Sequence, residues 1–525
     1  MRADTLRTYK TVHTWTGIVA GLLLFIAFYA GALTMFKAPL ARWAAAPVVP
    51  TSATYADADA LMARTLAEWP QARADFTLQL GDGRHAPHRL RWQPRGAALA
   101  SEAMLAPDGT LAVGTPRMAD LADFIDEVHR TAGLPIGREA GTVVMGVVSA
   151  LYFLALVSGV VLLWPTLVKD LFALRVGPNL KRMWLDAHNV IGLLSLPFHI
   201  VMALTAVVFG LHDVIYDAQK AVVYDGRFDR MWAASGPFAA ARPDPAPAAL
   251  LPLGSLVARV QAQAPGFAPH TLRIRDAGTA GAVAWITGDQ PCCMQRSAQG
   301  SLLLVSAVDG ALLHGEYAPG HRSGWMASVS TFFALHFGSY GGAPVRWGYF
   351  FLGLAGAFLF YSGNLLWIES RRKATRRGAA PVVQSRATAW MAAGTVGVCL
   401  GCVAGLSLAI VASKWLQGHV ADLDAWHRGV YHAAFLASIL WAFWRGGARA
   451  SVTLLWCAAA AAWALPLTTL AGLLPVPVAA GWVPAATGTL GVDAVALCGG
   501  LGLALMARAA ARRVRHGAAD SVWRG

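Results

Sequence analysis

The chain has 525 residues, of which 56% are hydrophobic and only 14% are charged. Soluble domains usually carry about 25% charged residues, and the mean hydropathy of +0.48 is high as well. These values exclude a cytosolic enzyme built from several soluble domains. They predict a polytopic α-helical membrane protein with soluble insertions.

The net charge of +14 comes from 43 Lys and Arg residues against 29 Asp and Glu residues. The basic residues lie in short clusters at the ends of apolar runs, where the positive-inside rule places them. This distribution argues against nucleic acid as a partner and favours acidic membrane lipids.

Eight apolar runs are long enough to cross a membrane, which takes about 20 residues. They cover approximately 14–36, 140–164, 188–211, 347–368, 390–412, 428–444, 451–474 and 485–507. The first run is too long for a signal-peptide core, so we expect a retained signal anchor. The last four spans form a C-terminal extension over 390–510.

Basic clusters in the short segments set the orientation of these spans. They precede span one, separate spans two and three, and follow spans four and eight: Arg2, Arg7, Lys10, Lys169, Arg175, Lys181, Arg182, Arg371, Arg372, Lys373, Arg376, Arg377, Arg508, Arg512, Arg513 and Arg515. All fall on one side, which must be the cytoplasm. Both termini and the loops 166–187 and 371–389 are then cytoplasmic, and the long loops 37–138 and 212–345 face outward.

Each long loop reads as ordinary soluble sequence. The first predicts a helix near 56–68, then strands near 74–80, 88–93 and 100–105 and a turn at Asp108-Gly109. The second predicts a helix near 253–264, then strands near 270–275, 282–287 and 301–307 and a turn at Asp309-Gly310. We therefore predict two small α+β domains outside the membrane.

Residues 1–370 contain an internal duplication. Span one begins His13-Thr-Trp-Thr-Gly17 and span three begins His188-Asn-Val-Ile-Gly192, while His129 precedes span two and His336 precedes span four. Repeats of this kind are related by a pseudo-two-fold axis along the membrane normal. The axis would place His13 opposite His188 near the inner surface and His129 opposite His336 near the outer surface.

Histidines in apolar helices often mark function, although each one alone could simply bond to the backbone. Facing pairs are what a six-coordinate haem iron requires, and without Cys-x-x-Cys-His the haem would be b-type. We expect two haems, and Gly17 and Gly192 could let a flat ring approach. His199 lies 11 residues after His188, about 16 Å along a helix on the same face. It would bind the outer haem or lie between the two sites.

Other polar residues give weaker signals. Zinc is disfavoured because the histidine pairs lack Cys or carboxylate partners at ligand spacing. Cys399 and Cys402 are followed by Val403 and fit packing better than redox chemistry, and the oxidation state of the adjacent Cys292 and Cys293 stays open. A third site among the cluster His419, His427 and His432 is disfavoured by their spacing.

These motifs resemble the PepSY-associated transmembrane family, often called iron-regulated membrane proteins. The resemblance covers about residues 1–372 and rests on His13-Thr-Trp-Thr-Gly17, Val-His129-Arg, His188-Asn-Val-Ile-Gly192 with Pro197-Phe-His199, and Leu-His336-Phe-Gly-Ser-Tyr-Gly-Gly. It implies two PepSY-like periplasmic domains in a bacterial inner membrane. For some members it also implies haem-b-dependent reduction of ferric siderophores.

The leading hypothesis is transmembrane electron transfer. An electron would enter at the inner haem, pass to the outer haem and reduce a ferric siderophore or other ferric chelate. No nucleotide-binding motif is present, so the donor would be a quinol or a separate reductase. Two alternatives stay open: a transporter for siderophore or haem, and a non-catalytic sensor or protease modulator.

Overall fold

The computed structural model describes the chain except for residues 1–2, 46–52, 82–86, 95, 97–99, 115–120, 169–174, 176–178, 236–240, 374–381 and 473–486. Parts of both predicted cytoplasmic loops therefore lie outside the described residues. The chain divides into two compact units. The helical unit comprises Met1–Ala46, Ala119–His212 and Trp347–Gly525, and the sheet unit comprises Pro47–Met118 and Asp213–Arg346.

The described residues are mostly helical. Their α-helices in chain order are α1 (Ala3–Thr34), α2 (Lys37–Ala44), α3 (Tyr55–Glu68), α4 (Leu121–Thr131), α5 (Arg138–Leu163), α6 (Leu180–Leu194), α7 (Leu196–Val222), α8 (Phe228–Ser235), α9 (Leu253–Gln263), α10 (Gly324–Phe337), α11 (Gly342–Ser370), α12 (Arg386–Leu416), α13 (Leu423–Arg445), α14 (Gly447–Ala471) and α15 (Thr487–His516). Their strands are β1 (Asp75–Gln79), β2 (Arg89–Trp92), β3 (Ser101–Leu105), β4 (Leu111–Gly114), β5 (Ala268–Arg275), β6 (Val283–Asp289), β7 (Ser301–Ser306) and β8 (Leu312–His314).

Within the described part of the chain, seven helices are long and apolar enough to cross a membrane: α1, α5, α7, α11, α12, α14 and α15. They overlap seven of the eight predicted spans, with the third displaced from 188–211 to Leu196–Val222, so the chain is a multi-pass helical membrane protein. The remaining predicted span, 428–444, is helical within α13. It falls short of the seven in apolar character because Arg428 and His432 interrupt its hydrophobic run.

The third predicted span is broken where sequence analysis treated it as one helix. α6 ends at Leu194, Ser195 has φ −97° and ψ 8°, and α7 starts at Leu196. Pro197 explains the break, because proline lacks the amide hydrogen that would bond to a carbonyl of the preceding turn. The spacing predicted for His188 and His199 assumed one continuous helix, whereas the two residues lie on separate helices.

The sequence duplication has a structural counterpart. The first half runs from α1 through α2, α3, four strands and α4 to α5. The second runs from α6 and α7 through α8, α9, four strands and α10 to α11. The same order of elements thus occurs twice, as the repeated motifs predicted.

The strands of both long loops form one sheet rather than two. Their order is β4-β3-β2-β1-β5-β6-β7-β8, and β1 pairs with β5 antiparallel from Asp75 opposite Arg275 to Gln79 opposite Thr271. The prediction of two separate α+β domains therefore needs correction. Each loop forms its own helix and strands, but the pairing of β1 with β5 gives partners to two edges that would otherwise be open.

Two Asp-Gly turns occupy equivalent places in the halves of the sheet. In the first half Arg64 on α3 donates a hydrogen bond to the Gly109 carbonyl, and in the second Arg259 on α9 donates one to the Asp309 carbonyl. Gly109 has φ +81° and Gly310 has φ +70°, a region that glycine adopts without steric cost. The turns and their arginine contacts are duplicated together.

The joint between the two halves of the sheet is the pairing of β1 with β5, and core substitutions there should lower stability. Leu78 of β1 lies opposite Leu272 of β5, and both are fully buried. We expect Leu78→Ala to lower the free energy of unfolding by about 2–5 kcal/mol, because it leaves a cavity in the core. Denaturant unfolding followed by tryptophan fluorescence measures the change.

The matched control lies on the same pair of strands. Arg273 pairs with Asp75 at 2.5 Å with both side chains largely exposed, and exposed ion pairs contribute about 0–1 kcal/mol. Arg273→Ala should therefore leave the unfolding transition nearly unchanged. A larger loss for Arg273→Ala than for Leu78→Ala would contradict this account of the joint.

Candidate functional site

His13 and His188 occupy equivalent surroundings in the two halves. On α1, His13 donates from Nδ1 to the Ala155 carbonyl of α5 at 2.8 Å. On α6, His188 donates from Nδ1 to the Leu359 carbonyl of α11 at 3.1 Å. Each acceptor lies three residues before the serine of a Ser-Gly pair, so the duplication extends to these hydrogen bonds.

The two rings face each other across the helical unit. Their centroids lie 6.2 Å apart with 77° between the ring planes. Since Nδ1 carries the hydrogen in each neutral ring, Nε2 holds the lone pair. Two opposed metal–nitrogen bonds of about 2 Å each, extended by two ring radii, place imidazole centroids about 6 Å apart. The pair therefore has a spacing that suits one iron between the rings.

Glycines on the neighbouring helices make room for these rings. A Cβ added at Gly159 would lie 2.9 Å from Cε1 of His13, and one added at Gly363 would lie 3.3 Å from Cε1 of His188. At Gly17 an added Cβ would meet no atom within 4 Å, so the space beside it is open to a flat group. Gly192 was predicted together with Gly17, and there an added Cβ would lie 3.6 Å from Cδ1 of Leu359. Gly159 and Gly363 had no predicted role.

His129 repeats the same arrangement at another depth. It lies on α4 and donates from Nδ1 to the Ala27 carbonyl of α1 at 2.7 Å. A Cβ added at Gly31 would lie 2.8 Å from this ring, so here too a glycine follows the acceptor by four residues. Ala27 follows His13 by 14 residues on α1, which is about 21 Å of helix rise. The two histidine sites thus lie well apart along α1.

His199 lies at the level of the His129 contact. It is fully buried on α7, and its ring centroid is 5.6 Å from that of Phe28, the residue after Ala27. Tyr152 on α5 places its hydroxyl 2.5 Å from Nδ1 of His199 and donates to the His199 carbonyl at 3.3 Å. The hydroxyl can therefore accept the Nδ1 hydrogen.

The remaining nitrogen of His199, Nε2, is buried and has no hydrogen-bond partner among the described residues. A buried polar atom left without a partner costs about 1–3 kcal/mol. Asn364, directly after Gly363, has a buried Nδ2 in the same condition. These two nitrogens fit a helical unit that encloses a further group. Tyr152 and Asn364 were not predicted as site residues, because neither residue is repeated in the other half of the sequence.

The structure tests only part of the predicted outer pairing of His129 with His336. His336 lies in the last turn of α10, in the sheet unit, with its ring centroid 5.4 Å from that of Phe337. His129 and His199 lie in the helical unit. The pairing of His129 with His336 therefore stays a prediction, and His199 is the second histidine that the helical unit itself brings to this level.

Charged residues hold α4 in position. Arg130 pairs with Asp126 at 2.8 Å, and Lys37 lies 3.5 Å from the same carboxylate. Burial alone would raise the pKa of Asp126, but Lys37 and Arg130 hold it below its usual value. Burial lowers the pKa of His129, which favours the neutral ring that a metal needs.

The other polar residues considered in the sequence do not assemble into a site of their own. Cys292 and Cys293 form a disulfide with each other, and Cys399 and Cys402 are free and buried in α12. His432 bonds through Nε2 to the Gly133 carbonyl. Within the described ranges, no cluster of three or more His, Cys, Asp or Glu could hold a metal ion.

Long apolar helices with an antiparallel sheet domain define a multi-pass membrane protein. Residues 10–370 match the family model described as the PepSY-associated TM region. The chain belongs to this PepSY-associated transmembrane family, which confirms the resemblance inferred from the histidine motifs. The match ends at the last residue of α11, before the C-terminal extension.

The chain is also similar to an uncharacterised protein of Pseudomonas aeruginosa. The two are 28% identical over 250 residues, which cover 46% of this chain and 61% of the relative. The chain thus spans about three fifths of that relative's length.

Proposed function

We propose that this protein is a haem-b-containing electron-transfer protein of a bacterial inner membrane that reduces a ferric siderophore or other ferric chelate in the periplasm. The observation that carries the proposal is the facing pair His13 and His188. Each ring is anchored through Nδ1 to an equivalent carbonyl, and at a centroid spacing of 6.2 Å both residues could hold one haem.

His13 and His188 would hold the inner haem, and His129 with His199 or His336 would hold the outer one. When bound, haem b supplies a one-electron couple between Fe(III) and Fe(II). The carbonyls of Ala155 and Leu359 fix the tautomer in which Nε2 is available.

Apolar residues surround the space between the two histidine levels. Ala20 and Ala27 on α1 and Tyr152 on α5 are buried in one apolar cluster. Burial of this kind strengthens the hydrogen bonds of the histidine ligands and would help to set the redox potential of a bound haem.

Reduction would serve iron release. Hard oxygen donors suit highly charged cations, so a chelator that binds Fe(III) through oxygen has a lower affinity for Fe(II). The electron donor would be a quinol or a separate reductase. A transporter for siderophore or haem would use the same spans, and a sensor would use the sheet domain, but neither accounts for the duplicated Nδ1 anchors.

The direct test is the visible spectrum of the purified protein in detergent, with its haem-to-protein ratio. We expect sharp bands of low-spin haem after reduction with dithionite, at about two haems per chain. Colourless protein from cells grown with ample haem would overturn the redox proposal and favour transport or sensing.

The hydroxyl of Tyr152 should matter for the outer haem. Tyr152→Phe removes the partner of Nδ1 in His199, and loss of such a partner typically lowers metal affinity about 10–100-fold. Transfer of haem to apomyoglobin, followed by absorbance, measures how much faster one of the two haems leaves.

Tyr29→Phe is the matched control, because Tyr29 is a tyrosine on α1 whose ring stacks on Phe25 with centroids 6.2 Å apart. It should release haem at the wild-type rate. Equal release by wild type and Tyr152→Phe would remove His199 from the outer ligand set.

A further inference from the structure

Arg296 in the sheet unit is held between two aromatic rings. Its guanidinium carbon lies 4.4 Å from the ring centroid of Tyr317 and 4.7 Å from that of Phe333 on α10. Nη1 donates to the sulfur of Met326 at 3.2 Å, and the side chain remains partly exposed. This arrangement fixes a planar donor group with part of its surface open to solvent.

Arg322 lies beside this cluster and holds its parts together. It donates from Nη1 to the Met294 carbonyl at 2.7 Å and from Nη2 to the Tyr317 carbonyl at 3.3 Å. Its Nε is buried and has no hydrogen-bond partner among the described residues. Arg322 thus bridges the loop that carries Arg296 and the segment that carries Tyr317.

The loop that carries Arg296 is itself well fixed. Gln295 donates from its backbone to the Ser339 carbonyl at 3.1 Å, and the Ser339 hydroxyl donates to the Gln295 carbonyl at 2.7 Å. Cys292 and Cys293 close a disulfide at the start of the same loop. A group held in this way loses little conformational entropy when it binds a ligand.

No carboxylate among the described residues neutralises the positive charge of the two arginines. Within the part of the chain that the structure describes, neither guanidinium forms an ion pair with a carboxylate, in contrast to Arg273 with Asp75. Burial lowers the pKa of both side chains, and Arg296 lowers the pKa of Arg322 further. Two partly buried cations without a counter-charge are unfavourable by themselves, which points to an anion from outside the chain.

We propose that Arg296 and Arg322, with the rings of Tyr317 and Phe333, bind the anionic oxygen shell of a ferric chelate. Arginine presents hydrogens in a planar fork that matches paired oxygens, and the rings of Tyr317 and Phe333 hold that fork in place. The favoured substrate class is therefore a negatively charged chelate with catecholate-type oxygens, in preference to a neutral hydroxamate. This inference rests on the proposed function for the identity of the ligand.

Binding to the full-length oxidised protein in detergent tests the site. The anionic probe is the ferric complex of 2,3-dihydroxybenzoate, the neutral probe is ferric acetohydroxamate, and calorimetric titration gives each Kd. We expect wild type to bind the anionic probe more tightly. Arg296→Gln should weaken that binding at least about tenfold, the loss typical of one charge-assisted hydrogen bond, and should leave the neutral probe unaffected.

Arg275→Gln provides the matched control. Arg275 belongs to the same unit and lies 5.7 Å from the ring centroid of Trp285, so its loss changes the net charge equally without touching the cluster. It should keep the wild-type Kd. Equal weakening by both variants, or no weakening by Arg296→Gln, would overturn the site, as would failure of wild type to prefer the anionic probe.

The haem content of the same samples separates this inference from the proposed function. Haem-loaded protein in which Arg296→Gln binds the anionic probe normally would overturn the site alone. Colourless protein in which Arg296→Gln still loses binding would overturn the redox proposal and leave an anion-binding site.

Discussion

Alanine at His13 is expected to remove one of the two haems, so that the haem-to-protein ratio falls from about two to about one. Alanine at His188 should give the same loss, because both residues would hold the same haem. The double variant should lose no more haem than either single variant. Pyridine haemochrome absorbance, normalised to protein, gives the ratio for all three.

His212→Ala is a suitable control for these variants. His212 lies on α7, and its Nδ1 donates to the Phe209 carbonyl of its own helix at 2.9 Å. Its loss should leave both haems in place. Full haem content in His13→Ala and His188→Ala would show that the facing pair does not ligate iron, whatever the spectrum of the wild type.

Valine at Gly210 is expected to destabilise the helical unit by at least about 3 kcal/mol, at the upper end of the cost of overpacking. A Cβ at Gly210 would lie 2.3 Å from the Cα atom of Gly146, so the obstruction is backbone and cannot rotate away. Small residues permit such close crossings between membrane helices. α5 and α7 would have to separate, which would also disturb the contact between Tyr152 and His199.

Thermal unfolding in detergent, followed by tryptophan fluorescence, measures this effect as a lower Tm. Gly499→Val in α15 is the control, because a Cβ at Gly499 would meet nothing within 4 Å. It adds the same side chain to a membrane helix without a clash. A Tm for Gly210→Val equal to that of the control would contradict the close crossing.

The architecture was largely readable from the sequence because it depends on local patterns. Apolar runs predicted seven of the described spans, and period-two alternation predicted six of the strands. The strands β4 and β8, which follow the two Asp-Gly turns, were missed. The joining of two loops into one sheet could not be predicted, since β1 and β5 each read as an ordinary strand whatever their partner.

The residues of the candidate site could be predicted from the sequence only where their motif occurs in both halves. His13 and His188 could be recognised because the same letters precede both spans. Their acceptors, the carbonyls of Ala155 and Leu359, carry no signal, because every residue has a carbonyl. His199 lies against Tyr152 on one side, and Gly356 takes the place of that tyrosine in the second half. This asymmetry is invisible to a search for repeats.

The pairing of β1 with β5 also bears on biosynthesis. β5 begins about 190 residues after β1 ends, and a ribosome adds about 5–20 residues per second. The first loop therefore waits roughly 10–40 s for its partner strand with a strand edge exposed. During that interval the open edge is the point at which the nascent protein is most exposed to edge-to-edge aggregation.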